Sequence, residues 1–255
     1  MTVAPHLPGD PLADLRAKVG RLEGRPAAQP VRTHPALSGL LQLQTGGIYA
    51  VTSASVAALL VAGPSSEGAW SAIVGTGELG AEAMAMAGVV LDRVVVVPDP
   101  GEAWLEVVAA LVDVLSVVVV KPPPTPGGLA PKDAARLAAR LRKRGAILIA
   151  LGDWPRCDVR LGLTDVEWHG IGHGIGHGPG GPQGGHGHLR ARQATVEATR
   201  GTAPARRQRV WLPAVDLECR PVDPAAGGRL AVPPVAGGTS RERSKWGNRD
   251  LRSVS

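Results

Sequence analysis

The residues with the most chemical capacity begin at a polar turn, Thr52-Ser53-Ala54-Ser55, set between the apolar string GGIYAVT and a run of helix formers, VAALLVAG. Strand, tight loop and helix in that order is the layout in which backbone N–H groups at a helix start face a phosphate. A P-loop adds a second glycine, a lysine that reaches the terminal phosphates and a hydroxyl that holds Mg²⁺. The turn here has neither the second glycine nor the lysine, and no lysine occurs between Lys18 and Lys121. Thr52, Ser53 and Ser55 therefore read as degenerate nucleotide-site positions, serving either as a weak anion site or as a plain helix cap. Lys121 follows the valine run Val117 to Val120, where an Asp would be needed to help hold the metal. A cation there repels Mg²⁺ instead. Glu78 is a single carboxylate after an earlier strand, and one carboxylate does not make a hydrolytic site. These residues predict no catalysis and no bound cofactor.

Two further clusters could bind rather than catalyse. Five of the seven histidines lie between His169 and His188, in a glycine-rich stretch containing His173, His177, His186 and His188. Imidazoles bind Zn²⁺, Ni²⁺ or Cu²⁺, but alternating glycines disfavour a persistent helix and no Asp, Glu or Cys lies within the tract to complete a site. A flexible loop over 170–188 is the expectation, with weak metal affinity at those four histidines as its only chemistry. Arg190, Arg192, Arg200, Arg206, Arg207 and Arg209 surround two alternating strings, with Trp211 after them. Alternation puts several of these on one face, where cations meet phosphates and an aromatic stacks on a base; outward cations that protect a sheet edge fit the same pattern. Arg241, Arg243, Lys245 and Trp246 in the last segment read as a basic tail with one aromatic anchor for a partner.

Composition bounds these readings. With 255 residues, 44% hydrophobic and 20% charged, the chain can bury one sizeable core. Phe is absent and Tyr occurs once, so Val, Ala and Leu must build that core around a few of the six Trp. Residues 1 to 189 carry 15 Lys+Arg against 16 Asp+Glu, whereas residues 190 to 255 carry 13 against 6. The formal +6 is therefore a property of the last quarter, which suits an acidic partner, nucleic acid or a solvated tail. Two cysteines without a CxxC give no case for a disulfide scaffold, and no apolar run is long enough for a bilayer, so a cytoplasmic location without membrane contact is expected.

The elements that must position these groups follow from periodicity. Leu12, Leu15, Val19 and Leu22 recur at helical spacing after Asp10-Pro11, and a linker follows from Pro26 to Pro35. Strands are predicted at Gly46 to Thr52, Trp70 to Gly75, Arg93 to Pro98, Val117 to Val120 and Ala146 to Leu151, with helices around Ala81 to Ala87, Gly101 to Val114 and Pro131 to Arg144. A valine run without alternation is buried on both faces, which favours a parallel sheet covered by helices. Period-two strings at Val159 to Leu163, Thr195 to Thr199 and Arg209 to Leu212 then predict antiparallel strands at the sheet edge. The organisation is an N-terminal helix and linker over 1–36, a core over 37–217 interrupted by the loop, and a flexible basic tail over 218–255.

This order, with the strings GGIYAVT, GEAWLEVVAALVDV, VRLGLTDVEW and RARQATVEATRGTAPARRQRVWL, resembles the RecA core across roughly residues 40 to 215. The likeness is to the actinobacterial ImuA-type proteins, and it also touches the SulA-type cell-division inhibitors. The resemblance implies an α/β fold with a mostly parallel sheet flanked by helices and an antiparallel β-hairpin extension. It further implies a non-catalytic accessory role in mutagenic translesion synthesis within the DNA-damage response. The partners it implies are a Y-family-like polymerase partner protein and an error-prone replicative-type polymerase, with DNA as a further contact. A divergent RecA-type ATPase and a SulA-like division inhibitor are the alternatives.

Overall fold

A computed structural model describes residues 27–124, 129–169, 191–214 and 216–223. The expected N-terminal helix, the glycine-histidine loop, Arg190 and residues 224–255 of the expected tail lie outside those residues, whereas Arg220–Pro221, expected as flexible tail, is a strand paired antiparallel with Val210 and Trp211. The short strands β1 (Pro30–Val31) and β2 (Leu43–Gln44) pair antiparallel. They enclose a 3₁₀ turn, Pro35–Leu37, whose start is capped by the His34 imidazole accepting from the Ala36 amide at 3.1 Å. Part of the expected linker is thus paired strand.

The main sheet is built from β3 (Ile48–Val51), β4 (Ser71–Val74), β5 (Val94–Val97), β6 (Val117–Val120), β7 (Ile147–Leu151), β8 (Val159–His169), β9 (Ala191–Thr199), β10 (Arg206–Trp211) and β11 (Arg220–Pro221). Its order from one edge to the other is β5-β4-β6-β7-β3-β8-β9-β10-β11. Pairings from β5 through β8 are parallel; those from β8 through β11 are antiparallel. The chain is therefore α/β with a mostly parallel, mixed sheet and an antiparallel extension, but the string Val159 to Leu163, expected as an antiparallel edge strand, lies inside the sheet, parallel to β3 and antiparallel to β9, because β8 is where the sheet changes direction.

Helices α1 (Ala54–Ser66) and α2 (Ala81–Met86) cover one face, α3 (Trp104–Val114) and α4 (Pro131–Arg144) the other. The cause is crossover handedness: β3 to β4 and β4 to β5 step towards the free edge, while β5 to β6 and β6 to β7 step back, so right-handed connections put the two pairs of helices on opposite faces. Alternate strand residues divide accordingly. Tyr49, Val51, Ile73, Val117 and Val119 pack under α1 and α2, whereas Ile48, Ala50, Val74, Val118 and Val120 pack under α3 and α4. The T-shaped pair Trp104 and Trp154, with centroids 6.4 Å apart, anchors the second layer in place of the missing phenylalanines.

Local chemistry explains the clearest ends. Pro131 opens α4, and Gly145 closes it at φ 71, a left-handed conformation that glycine adopts without a Cβ clash. Helix α1 runs three residues beyond its apolar run, through Pro64, and Gly63 lies against the backbone of Arg32 and His34. The hairpin strand β8 continues to His169 where the alternating pattern stops at Leu163. A register shift lies between Thr164 and Glu167, and Asp165 has φ 48, so the side chains beyond it change phase and the period-two signal disappears although the pairing continues.

Candidate functional site

The C-terminal ends of the parallel strands hold the nucleotide-site positions. Tyr49 and Val51 fix β3 in the core, and the buried Tyr49 hydroxyl accepts the Gln44 amide at 2.8 Å, tying β2 to the strand. Burial pushes the Tyr49 phenol up to about 12. After Val51 the Thr52 amide donates to the Leu161 carbonyl at 3.2 Å, which docks the turn on β8. Ser53 is the N-cap residue of α1 in extended conformation, but its side chain makes no capping hydrogen bond.

Ser55 is already engaged. Its Oγ accepts Arg192 Nη2 at 2.6 Å, while Arg192 Nε donates to the Leu212 carbonyl at 3.1 Å. The same guanidinium lies 5.2 Å from the centroid of the Trp168 ring. Arg192 is half-buried, and desolvation pushes its proton affinity down, although a guanidinium keeps its charge at any physiological pH. Its neighbour Cys219 has a thiol that burial pushes up and Arg192 pulls down. A guanidinium at the positive end of a helix makes this corner attractive to anions, and the pairing with Ser55 and Leu212 competes with any such ligand.

Lys121 occupies the corresponding end of β6. Strand β7 separates β6 from β3, so Lys121 stands two strands from Thr52 rather than on the adjacent strand end; at one strand spacing per step that is about 10 Å. Lys121 forms an ion pair with Glu78, which follows β4 on its other side. Gly75 shapes that exit: at φ 72, a Cβ on it would come 2.7 Å from the Lys121 carbonyl oxygen. Glu78 and Lys121 thus neutralise each other, and Asp153, which follows β7 between β6 and β3, pairs with Arg160 at 2.8 Å.

The hairpin sorts the arginines by face. Arg207, Arg209 and Trp211 alternate on one side, opposite Glu197, Thr195 and Gln193 of β9. Arg207 pairs with Glu197 at 2.6 Å, and Arg209 with Glu167 at 2.6 Å while donating to Gln193 at 3.0 Å. Trp211 packs its ring 5.3 Å from that of His169. Arg206 and Arg192 are on the opposite side, and Arg206 donates to the Gly39 carbonyl at 2.9 Å. Alternation thus unites three of the expected contact residues and separates two. The aromatic that stands free beside an arginine is Trp168, 55% exposed, rather than Trp211. The bulge at Asp165 conceals it in sequence, because counting by twos from Leu161 gives the wrong phase.

Among the described residues no group of three His, Cys, Asp or Glu side chains could hold a metal ion. His173, His177, His186, His188, Arg190, Arg241, Arg243, Lys245 and Trp246 lie outside them. Among the described residues no helix is long and apolar enough to cross a membrane.

Comparison with known proteins places the parallel block. A family model described as the MT3502 N-terminal domain matches residues 36–156. The Mycobacterium tuberculosis protein Rv3395c is 30% identical over 158 residues, which cover 59% of this chain and 74% of that protein. The chain belongs to the MT3502 family. Within the MT3502 match lie the Thr52–Ser55 turn, Glu78 and Lys121; the arginine hairpin from β9 to β10 falls beyond its last residue.

Proposed function

We propose that this chain is a non-catalytic, RecA-like accessory protein of DNA-damage-induced translesion synthesis, of ImuA type, working in the cytoplasm through protein contacts. The observation that carries the reading is the state of the strand ends. Three of the polar groups at the positions of nucleotide-binding elements already have partners within the chain: Ser55 with Arg192, Lys121 with Glu78, and the Thr52 amide with Leu161. The lysine that would stabilise charge on a transferring phosphoryl group is absent, and removing one such preorganised donor typically costs about 3–4 kcal/mol of transition-state stabilisation. Support for the RecA-like assignment comes from a mostly parallel sheet with helices on both faces, continued by an antiparallel hairpin, in the order the resemblance requires. Protein contacts rather than DNA take the leading part because Arg207 and Arg209 already have carboxylate partners. The partners are a Y-family-like polymerase partner protein and an error-prone replicative-type polymerase.

Two measurements on the full chain test this. Titration with ATP and Mg²⁺ should show no saturable micromolar binding and no turnover; micromolar affinity with hydrolysis would refute the accessory reading in favour of a divergent ATPase. Affinity purification from DNA-damaged cells should recover the polymerase partners. Filamentation on overexpression with no polymerase association would instead establish a division inhibitor.

A further inference from the structure

Each connection of the parallel block from β3 through β7 carries a helix, whereas β7 reaches β8 through residues 152–158 alone. A parallel crossover ordinarily takes about a dozen residues or more, usually with a helix that covers the sheet. The short link runs over the face of α3 and α4, since Trp154 and Cys157 pack in that layer. What a helix would have filled is left as a trough beside α4, with a volume of about 330 Å³, within the range of small-molecule sites. Buried Ile48 of β3 forms its floor, Pro131, Ala134 and Ala138 of α4 one wall, and Pro155 the other.

The trough has a charged end and an apolar end. Arg142, in the last turn of α4, lines it beside the start of β3: a Cβ on Gly46 would come 2.9 Å from the Arg142 Cα. Asp158 lines the same end, where its carboxylate accepts the Ile48 amide at 2.8 Å, and Arg156 is two residues before it. Pro131 opens α4 eleven residues before Arg142, about 16 Å along the helix axis. Arg140 and Arg144 of the same helix are held by Asp113, but Arg142 and Arg156 have neither an ion pair nor a hydrogen-bond partner among the described residues. Arg156 also keeps a left-handed backbone at φ 56, a strain that in a non-glycine residue clusters at ligand sites.

We infer that this trough binds a small amphipathic monocarboxylate, an aliphatic chain with one acid group, its carboxylate at Arg142 and Arg156 and its chain running along α4 towards Pro131. The charges select the head. Two guanidinium groups against the one carboxylate of Asp158 leave a net +1 at that end, which matches a single carboxylate better than a phosphate dianion. The walls select the tail. They hold no aromatic ring on which a flat ligand would stack and no hydrogen-bonding side chain besides the three charged ones, so a polar ligand body would lie there unsatisfied. The site is separate from the Thr52–Ser55 turn, which follows the other end of β3, and it stands or falls independently of the proposed accessory role.

Isothermal titration calorimetry of the full chain with octanoate tests this, against acetate, octanol and octylamine. Octanoate should bind saturably at one site and more tightly than all three: acetate lacks the chain, octanol the charge, and octylamine has the wrong charge. Arg142→Gln and Arg156→Gly should each weaken octanoate roughly threefold or more, and the double variant roughly tenfold. Glycine suits the left-handed backbone at 156, so weaker binding there with an unchanged or raised urea midpoint separates a lost contact from a lost fold. Asp158→Asn keeps an acceptor for the Ile48 amide, removes the opposing charge and should tighten octanoate. Ala138→Leu fills the trough and should abolish binding while circular dichroism stays unchanged. No saturable octanoate binding, equal affinity for octanol, or an affinity indifferent to both arginine variants overturns the inference.

Discussion

Replacing Tyr49 by Phe tests how the strand that leads into the candidate site is held. Tyr49 is the only tyrosine in the chain, is 1% exposed, and its hydroxyl accepts the Gln44 amide at 2.8 Å. Phe keeps the ring and leaves that amide without its acceptor, which costs about 1–3 kcal/mol at neutral pH. The phenol also links stability to alkaline pH. Burial raises it from 10.0 to about 12, so the neutral form is favoured in the folded chain. A raised pKa gives stability that is complete below about pH 10, the unfolded value, and is lost as the pH rises towards the folded value of about 12. At one pH unit above the unfolded value, the loss is about 1.4 kcal/mol. Tyr49→Phe lacks that group, so the wild-type advantage over the variant should shrink by the same about 1.4 kcal/mol between pH 8 and pH 11. Urea denaturation of both proteins at the two pH values measures it, and phenolate absorbance near 295 nm follows the one tyrosine directly. A phenolate midpoint near pH 10 in the folded protein, or a stability difference that does not change with pH, would refute the burial argument.

Further expectations concern close packing and the Arg192 corner. Gly63→Ala should destabilise the chain: helix propensity favours Ala by about 1 kcal/mol, but the new Cβ would come 2.3 Å from the Arg32 carbonyl oxygen and 2.9 Å from the His34 nitrogen. Both obstacles are backbone, overpacking of this kind typically costs about 1–3 kcal/mol or more, and a raised urea midpoint would show the reasoning wrong. Arg192→Ala removes the bonds to Ser55 and Leu212 and the stacking on Trp168. The expected cost is about 2–3 kcal/mol, since a charge-assisted bond contributes more than a neutral one. Arg192→Lys should recover less than half, because an ammonium cannot replace the planar fork that reaches both acceptors; full recovery in denaturant titration would discount the geometry.

Much of the fold is legible in the residues because its signals are local. The helix Pro131 to Arg144 combines a proline start, an apolar stripe, terminal cations and a glycine stop, and each acts within one turn. The Thr52–Ser55 turn is likewise readable as a nucleotide-site layout without its lysine, since the deficiency is one of residue type. Pairing across strands is not local. That Ser55 bonds Arg192, 137 residues away, and that Lys121 meets Glu78, 43 residues away, follows from strand order, which the chain's periodicity does not encode. The phase of Trp168 depends on a bulge whose signature is a backbone angle at Asp165.

The sharpest contrast is between β5 and β6, which have the same sequence, four consecutive valines. Composition determined that both are strands, because β-branched side chains suit a pleated sheet. It could not determine their surroundings. β6 lies between β4 and β7 with helices on both faces and every valine buried, whereas among the described residues β5 has β4 on one side only and two exposed valines. Burial belongs to a position in the sheet order, and that order is set by which crossover steps outward and which steps back.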